Sequence, residues 1–141
     1  MKTGTIVVLL VENDPIAFVP LSLALANELS FEIDRPVDVM VAESLHKAGE
    51  LIRHSLSSID AVIMDGGIIG GTTFELIRLI RRLGFRGPMV TFSGEDEPFI
   101  DEMMRAGCDV RLKKPIDIME LFRALKARLS GPTATDAAHL V

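Results

Sequence analysis

The 141-residue chain has little cysteine, no long apolar run and no surplus of basic side chains. Its one cysteine, Cys108, excludes an internal disulfide and a thiolate metal cluster, and is typical of a small buried hydrophobe. The net charge of -5 argues against a nucleic-acid surface, because neutralising phosphates requires clustered Lys and Arg. No unbroken run approaches the roughly 18 apolar residues of a membrane span. We therefore expect a cytoplasmic protein with no membrane contact and no direct DNA binding.

The length suits one domain with a substantial core. Hydrophobic residues make up 48% of the chain and the mean hydropathy is +0.34, which fits parallel strands covered on both faces. The first apolar run ends at Glu12 without a small-residue cleavage site, so it is interpreted as a strand and not as a signal peptide. Residues 131–141 show no apolar period, so we expect a domain over residues 1–130 and a flexible C-terminal tail.

Short apolar runs alternate with segments of helical spacing along the chain. Four runs have strand character and a weaker fifth follows, which predicts an α/β fold with a parallel sheet. The runs cover residues 6–11, 37–41, 61–64, 89–92 and 110–112.

Two predicted helices have distinctive features. The first begins favourably at Asp14 and Pro15, but Pro20 removes an interior hydrogen bond, so we expect a kink there or a late start. The third has an apolar face and arginines that are predicted to form a solvated face. The apolar residues are Leu76, Ile77, Ile80 and Leu83, and the arginines are Arg78, Arg81 and Arg82. Other helices are predicted to begin at Ser44, at Glu95 and after Asp117.

Polar residues follow four of the predicted strands, at the sheet edge where open α/β folds bind ligands. Carboxylates there suit Mg²⁺, and a lysine and a hydroxyl suit phosphoryl oxygens. The residues are Glu12, Asn13 and Asp14 after the first strand, Asp65 after the third, Ser93 after the fourth, and Lys113, Lys114 and Pro115 after the fifth.

Asp65 ends an apolar run and precedes two glycines. Taken alone it would be interpreted as a helix cap, but its coincidence with Glu12, Ser93 and Lys114 favours a nucleophile that accepts a phosphoryl group. Glycine allows close backbone approach and unusual dihedrals, so the main-chain carbonyl of Gly67 could reach a metal.

These fragments, in this order on alternating strands and helices, resemble the response-regulator receiver domain of two-component signalling, in the CheY-like superfamily. The resemblance runs from about Thr5 to Leu129, nearly the whole chain. Its motifs are Val11-Glu12-Asn13-Asp14-Pro15, Met64-Asp65, Thr91-Phe92-Ser93-Gly94 and Lys114-Pro115.

The resemblance implies a single flavodoxin-like (βα)5 domain with strand order 2-1-3-4-5. It implies that Asp65 accepts a phosphoryl group from a histidine kinase or phosphotransfer protein, with Mg²⁺ required. Ser93 corresponds to the switch hydroxyl, Lys114 to the lysine of the family's motif, and Pro115 to its cis peptide. The metal ligands would come from Glu12, Asn13, Asp14, Asp65 and Gly67.

The chain departs from the family at several positions. Asn13 stands where the family has a second acidic residue, and Arg111 where it often has an aromatic switch residue. Ile69 replaces a common proline and Thr73 a common glycine. Arg111 is still a candidate switch residue and could contact the partner.

We expect a stand-alone receiver and not an enzyme, apart from self-phosphorylation and self-dephosphorylation. Its face of helix 4, strand 5 and helix 5 would bind a downstream protein and could support a homodimer. The alternative is a pseudo-receiver that binds partners without phosphorylation. Enzyme motifs fail individually: Gly67 replaces the second aspartate of dehalogenase-like phosphatases, Thr72 the P-loop lysine, and Thr91 the first glycine of a hydrolase elbow.

Overall fold

Mainly apolar strands form a sheet whose three central strands are buried on both sides. The computed structural model describes residues 4–67, 73–94 and 97–129, and the predicted tail lies outside these ranges. In them, five parallel strands form one sheet in the order β2-β1-β3-β4-β5, which confirms the predicted fold class. The strands are β1 (Ile6–Val11), β2 (Val37–Ala42), β3 (Ala61–Asp65), β4 (Met89–Ser93) and β5 (Val110–Lys113).

Helices follow each strand and cover the two faces of the sheet. Helix α1 is a continuous helical stretch of three segments, Pro15–Ala24, a π-helical turn at Leu25–Leu29, and Ser30–Ile33. The other helices are α2 (Leu45–Ser55), α3 (Thr73–Arg82), α4 (Glu97–Ala106) and α5 (Ile118–Arg128). Predicted start signals are in place, because Ser44 caps α2 and Asp117 caps α5 through their side chains.

The core has two parts, one on each side of the sheet. Alternate residues of β1 divide between them, with Val8 and Leu10 facing α1 and α5, and Leu9 and Val11 facing α2, α3 and α4. Burial on both sides explains why the strand residues show no polar alternation. The register aligns Val11 with Met64, Asp65 with Phe92, and Ser93 with Lys113, so the strands end close together at one edge.

Helix α1 is apolar on nearly all sides. Asp14 accepts a hydrogen bond from the Ile16 amide and the helix begins at Pro15, so of the two alternatives, a kink at Pro20 or a late start, the late start is wrong. One side packs into the core, but Ile16 and Phe31 on the other are 85% and 86% exposed. By length and composition the stretch Pro15–Ile33 could cross a membrane, a weak signal that core helices share. Counting unbroken apolar runs missed it because polar residues interrupt the sequence.

Arg81 does not lie on a solvated face, contrary to the sequence prediction. Its guanidinium donates four hydrogen bonds, to the carbonyls of Gly107, Phe85 and Gly87 and to the Asp109 carboxylate. These groups belong to the loops before β4 and β5, so Arg81 joins both loops to the end of α3. Leu83 also departs from its predicted place, since it is 48% exposed just after α3 ends.

Replacing Arg81 with Met should lower the free energy of unfolding by about 2–3 kcal/mol, because three carbonyls and a carboxylate lose a charged donor. Urea unfolding would measure the loss. Arg82→Met, an exposed arginine on the same helix, is the matched control and should change stability by less than about 0.5 kcal/mol. Equal unfolding midpoints for the two variants would contradict this role of Arg81.

Candidate functional site

The polar residues that follow β1, β3, β4 and β5 meet at one edge of the sheet. Three of them are buried: Glu12 is 2% exposed, Asp65 6% and Ser93 1%. The Lys114 side chain is 43% exposed and extends over the edge. A buried carboxylate is costly unless it is paired or hydrogen-bonded, so the contacts of Asp65 define the site.

Asp65 has a cation and a backbone donor on the same oxygen. The Lys114 Nζ lies 2.9 Å from Asp65 Oδ1, and the Gly67 amide donates to that oxygen at 2.9 Å. Lys114 comes from the loop after β5 and Gly67 from the loop after β3, so the sheet register brings both to the carboxylate. Lys114 Nζ also lies 5.6 Å from the centre of the Phe92 ring, which limits where the ammonium can move.

Glu12 hydrogen-bonds to Asp65, and this bond requires a shared proton. Burial and, after it, the hydrogen bond to Asp65 raise the pKa of Glu12 to about 7, although the hydrogen bond from the amide of Asp14 opposes the shift. That amide donates to Glu12 Oε1 at 3.1 Å. Two carboxyl groups this close hold either a proton or a cation between them.

The other predicted metal ligands are placed less favourably. Asn13 and Asp14 are exposed, and Asp14 Oδ1 is engaged as the cap of α1. Gly67 does not adopt a positive φ, and a Cβ there would lie 3.6 Å from Asp65 Oδ1, an ordinary contact. Among the described residues, no three His, Cys, Asp or Glu side chains are grouped closely enough to hold a metal. Glu12 and Asp65 nevertheless fit Mg²⁺, which is often held by one or two carboxylates with water and phosphate oxygens.

Ser93 is held in place through its backbone carbonyl. That oxygen accepts hydrogen bonds from the Lys114 amide at 3.2 Å and from Arg111 Nη2 at 3.0 Å. The peptide bond between Lys114 and Pro115 is cis. Arg111 is half-buried on β5, and its guanidinium contacts the Ser93 carbonyl.

Thr73 has a role that sequence reasoning did not identify. It is 4% exposed at the start of α3, and its hydroxyl donates to the Gly66 carbonyl at 3.3 Å. This bond ties α3 to the turn directly after Asp65. A hydroxyl residue seven positions after Gly66, the first residue beyond the strand, is the signal that could have suggested it. Ile69 lies outside the described residues.

A groove of about 780 Å³ leads to Asp65 from the side of α1 and α5. Its walls are mainly apolar, and Glu12, Asn13, Asp14, Asp65 and Lys114 lie at one end. The apolar wall consists of Ala17, Pro20, Leu21, Ala24, Phe92, Pro115, Ile116 and Ile118. A reactant that approached through this groove would meet the carboxylate beside its lysine.

The remaining residues considered for chemistry lie elsewhere. His46 and His54 are exposed on α2, and His139 falls outside the described residues. Cys108 is buried, and burial raises the pKa of its thiol, which keeps it in the less reactive protonated form.

In metal-free protein, Glu12→Gln should remove a pH dependence of stability. A carboxyl whose pKa rises from 4.5 unfolded to about 7 folded stabilises the fold fully below about pH 4.5 and loses that contribution as the pH passes 7. Wild type should therefore lose stability relative to Glu12→Gln as the pH rises, measured by urea unfolding with a chelator present. Glu43→Gln, an exposed control, should follow wild type. A constant difference between wild type and Glu12→Gln would contradict the raised pKa.

Solved structures share this architecture over nearly the whole chain, although no protein-family model and no curated protein matches the sequence. A response-regulator receiver domain protein from Clostridium thermocellum is 19% identical, with a TM-score of 0.74 over 96% of this chain and 98% of that one. A response regulator from Thermotoga maritima is 24% identical, with a TM-score of 0.71 over 91% and 100%. Chemotaxis protein CheY4 of Vibrio cholerae is 19% identical, with a TM-score of 0.69 over 89% and 100%. The chain has the fold of response-regulator receiver domains.

Proposed function

We propose that this chain is a response-regulator receiver that accepts a phosphoryl group on Asp65 and switches the binding of a partner protein. The observation that carries the proposal is the 2.9 Å contact between Asp65 and Lys114 at the edge where Glu12 and Ser93 also converge. A lone carboxylate at a strand end has many uses, but these four side chains together match the charge pattern of phosphoryl transfer.

The chemistry is a displacement at phosphorus. An Asp65 carboxylate oxygen attacks the phosphorus of a phosphohistidine on a kinase or phosphotransfer protein. The new O–P bond forms as the N–P bond breaks, and the bonding electrons leave with the imidazole, which takes a proton. Lys114 stabilises the negative charge on the transferring group, and the buried Ser93 hydroxyl donates to one of its oxygens once it reaches them.

Glu12 and Asp65 would hold Mg²⁺, with the Gly67 carbonyl and Asn13 as further oxygen donors. When bound, this ion neutralises the phosphoryl oxygens and the two carboxylates. The site is poorer in charge than a site with two adjacent acids would be, because an amide oxygen is a weaker ligand for a hard dication. We therefore propose that Mg²⁺ binding is needed but comparatively weak.

The groove beside α1 is the proposed route of the phosphodonor. It opens onto Asp65, and the neighbouring surface of α1 is apolar, with Ile16 largely exposed. A donor that covered this surface would bury apolar area and exclude water from the reacting atoms.

The proposed output is a change on the face formed by α4, β5 and α5. Ser93 pairs with Lys113 of β5, so a movement of Ser93 would displace that strand directly. Exposed apolar side chains at Met104 and Met119 offer contacts to a downstream protein or a second copy. Phosphorylation would shift the populations of two arrangements of this face and would not create a new fold.

A pseudo-receiver is the alternative, and Asn13 is the observation that favours it. In that case the fold would bind its partner with equal affinity whether or not Asp65 is intact. A beryllofluoride titration distinguishes the two functions.

Beryllofluoride mimics an aspartyl phosphate without its hydrolysis. With millimolar Mg²⁺, its addition should cause saturable amide NMR shifts near Asp65, Ser93 and Lys114 that extend to β5. Asp65→Asn, which keeps the side-chain shape but loses the nucleophilic carboxylate, should show none of them. Absence of shifts in wild type at saturating Mg²⁺ would reject phosphorylation and favour the pseudo-receiver.

Asn13→Asp should tighten Mg²⁺ binding roughly tenfold or more, since it adds a carboxylate next to Glu12 and Asp65. Isothermal titration of the two proteins at one pH would measure the change. Asn27→Asp, an exposed position further along α1, is the matched control for the added charge. Equal affinities for Asn13→Asp and wild type would show that residue 13 does not contact the metal.

A further inference from the structure

Arg111 occupies an unusual position for an arginine, in the short edge strand β5 of the sheet. Its neighbour Leu112 packs into the core under α1 and α5, so the alternation of β5 turns Arg111 toward the opposite side. There it pairs in register with Thr91, which is fully buried. Arginine is seldom placed half-buried in a strand without a specific acceptor.

One such acceptor is the last carbonyl of β4. Arg111 Nη2 donates to the Ser93 oxygen at 3.0 Å, and the Lys114 amide donates to the same oxygen at 3.2 Å. The bond from a guanidinium to a carbonyl is charge-assisted, so it is stronger than the neutral bond beside it. The Ser93 peptide is therefore held from β5 by one backbone donor and one cation.

The alternation of β4 predicts that the Ser93 side chain lies on the other face of the sheet from Asp65. Phe92, the register partner of Asp65, packs on the side of α1 and α5. Ser93 is the next residue, so strand alternation directs its side chain toward α4. To bond to a phosphoryl group on Asp65, the Ser93 segment must shift, and the exposed Gly94 that follows permits such a change.

We propose that Arg111 is a positioning residue that holds the Ser93 carbonyl and so keeps the Ser93 hydroxyl in its unphosphorylated position. This inference rests on the proposed function of Asp65. A shift of Ser93 must break the Arg111 bond or draw the arginine with it, so the bond biases the equilibrium toward the resting arrangement. Its removal raises the population of the arrangement that receives the phosphoryl group.

The test compares Arg111→Met, which keeps the length but has no donor, with Arg111→Lys, which restores one. Arg123→Met removes an exposed arginine from α5 and controls for charge. In metal-free protein, NMR should show the Lys114 amide exchanging with solvent several times faster in Arg111→Met, at an intermediate rate in Arg111→Lys, and at the wild-type rate in Arg123→Met. At fixed Mg²⁺, half-saturation with beryllofluoride should need several times less ligand in Arg111→Met than in Arg123→Met.

Each outcome decides one of the two proposals. Equal Lys114 exchange in Arg111→Met and Arg123→Met overturns the positioning role. Faster exchange with unchanged beryllofluoride half-saturation also overturns it, because the bond would then be structural without biasing the switch. If neither wild type nor any variant binds beryllofluoride, the proposed function is rejected. The exchange rates alone then decide whether Arg111 holds Ser93.

Discussion

The contact between Lys114 and Asp65 is the interaction on which the site depends. Asp65 and Glu12 are two buried carboxyl groups that share a hydrogen bond, and the neighbouring Asp65 disfavours the charged form of Glu12. Lys114 offsets the charge of Asp65, and burial leaves Glu12 with a pKa of about 7. The edge of the sheet is thus short of positive charge, which suits it to a cation and to a phosphoryl group bound through that cation.

The register of the parallel strands produces this arrangement. Parallel strands that end level bring residues at the ends of four strands to one edge, although these residues are far apart in the chain. At the opposite edge, Arg81 joins the loops that precede β4 and β5. At the edge that carries Asp65, Ser93 is held by Arg111 and by the Lys114 amide, so Lys114, which binds Asp65, and the switch residue Ser93 belong to one hydrogen-bonded unit.

The strands, their order and the convergence of Glu12, Asp65, Ser93 and Lys114 could be predicted because they depend on local pattern and family motif. Strand bounds differed by at most one residue, since burial on both faces leaves runs that end where polar residues begin. The prediction for Arg81 was wrong because helical periodicity indicates on which side of a helix a residue lies. It does not indicate which loop carbonyls lie within reach of the side chain. The partner of Arg111 was beyond prediction for the same reason: it bonds to a backbone atom of another strand, which carries no sequence signal.

The most direct test of the central claim is chemical identification of the modified residue. Wild-type protein would be incubated with Mg²⁺ and phosphoramidate, trapped with borohydride, which reduces an acyl phosphate, and digested for mass spectrometry. The account predicts one reduced residue, at position 65. Modification at another residue, or none at all, would contradict the assignment of Asp65 as the phosphoacceptor.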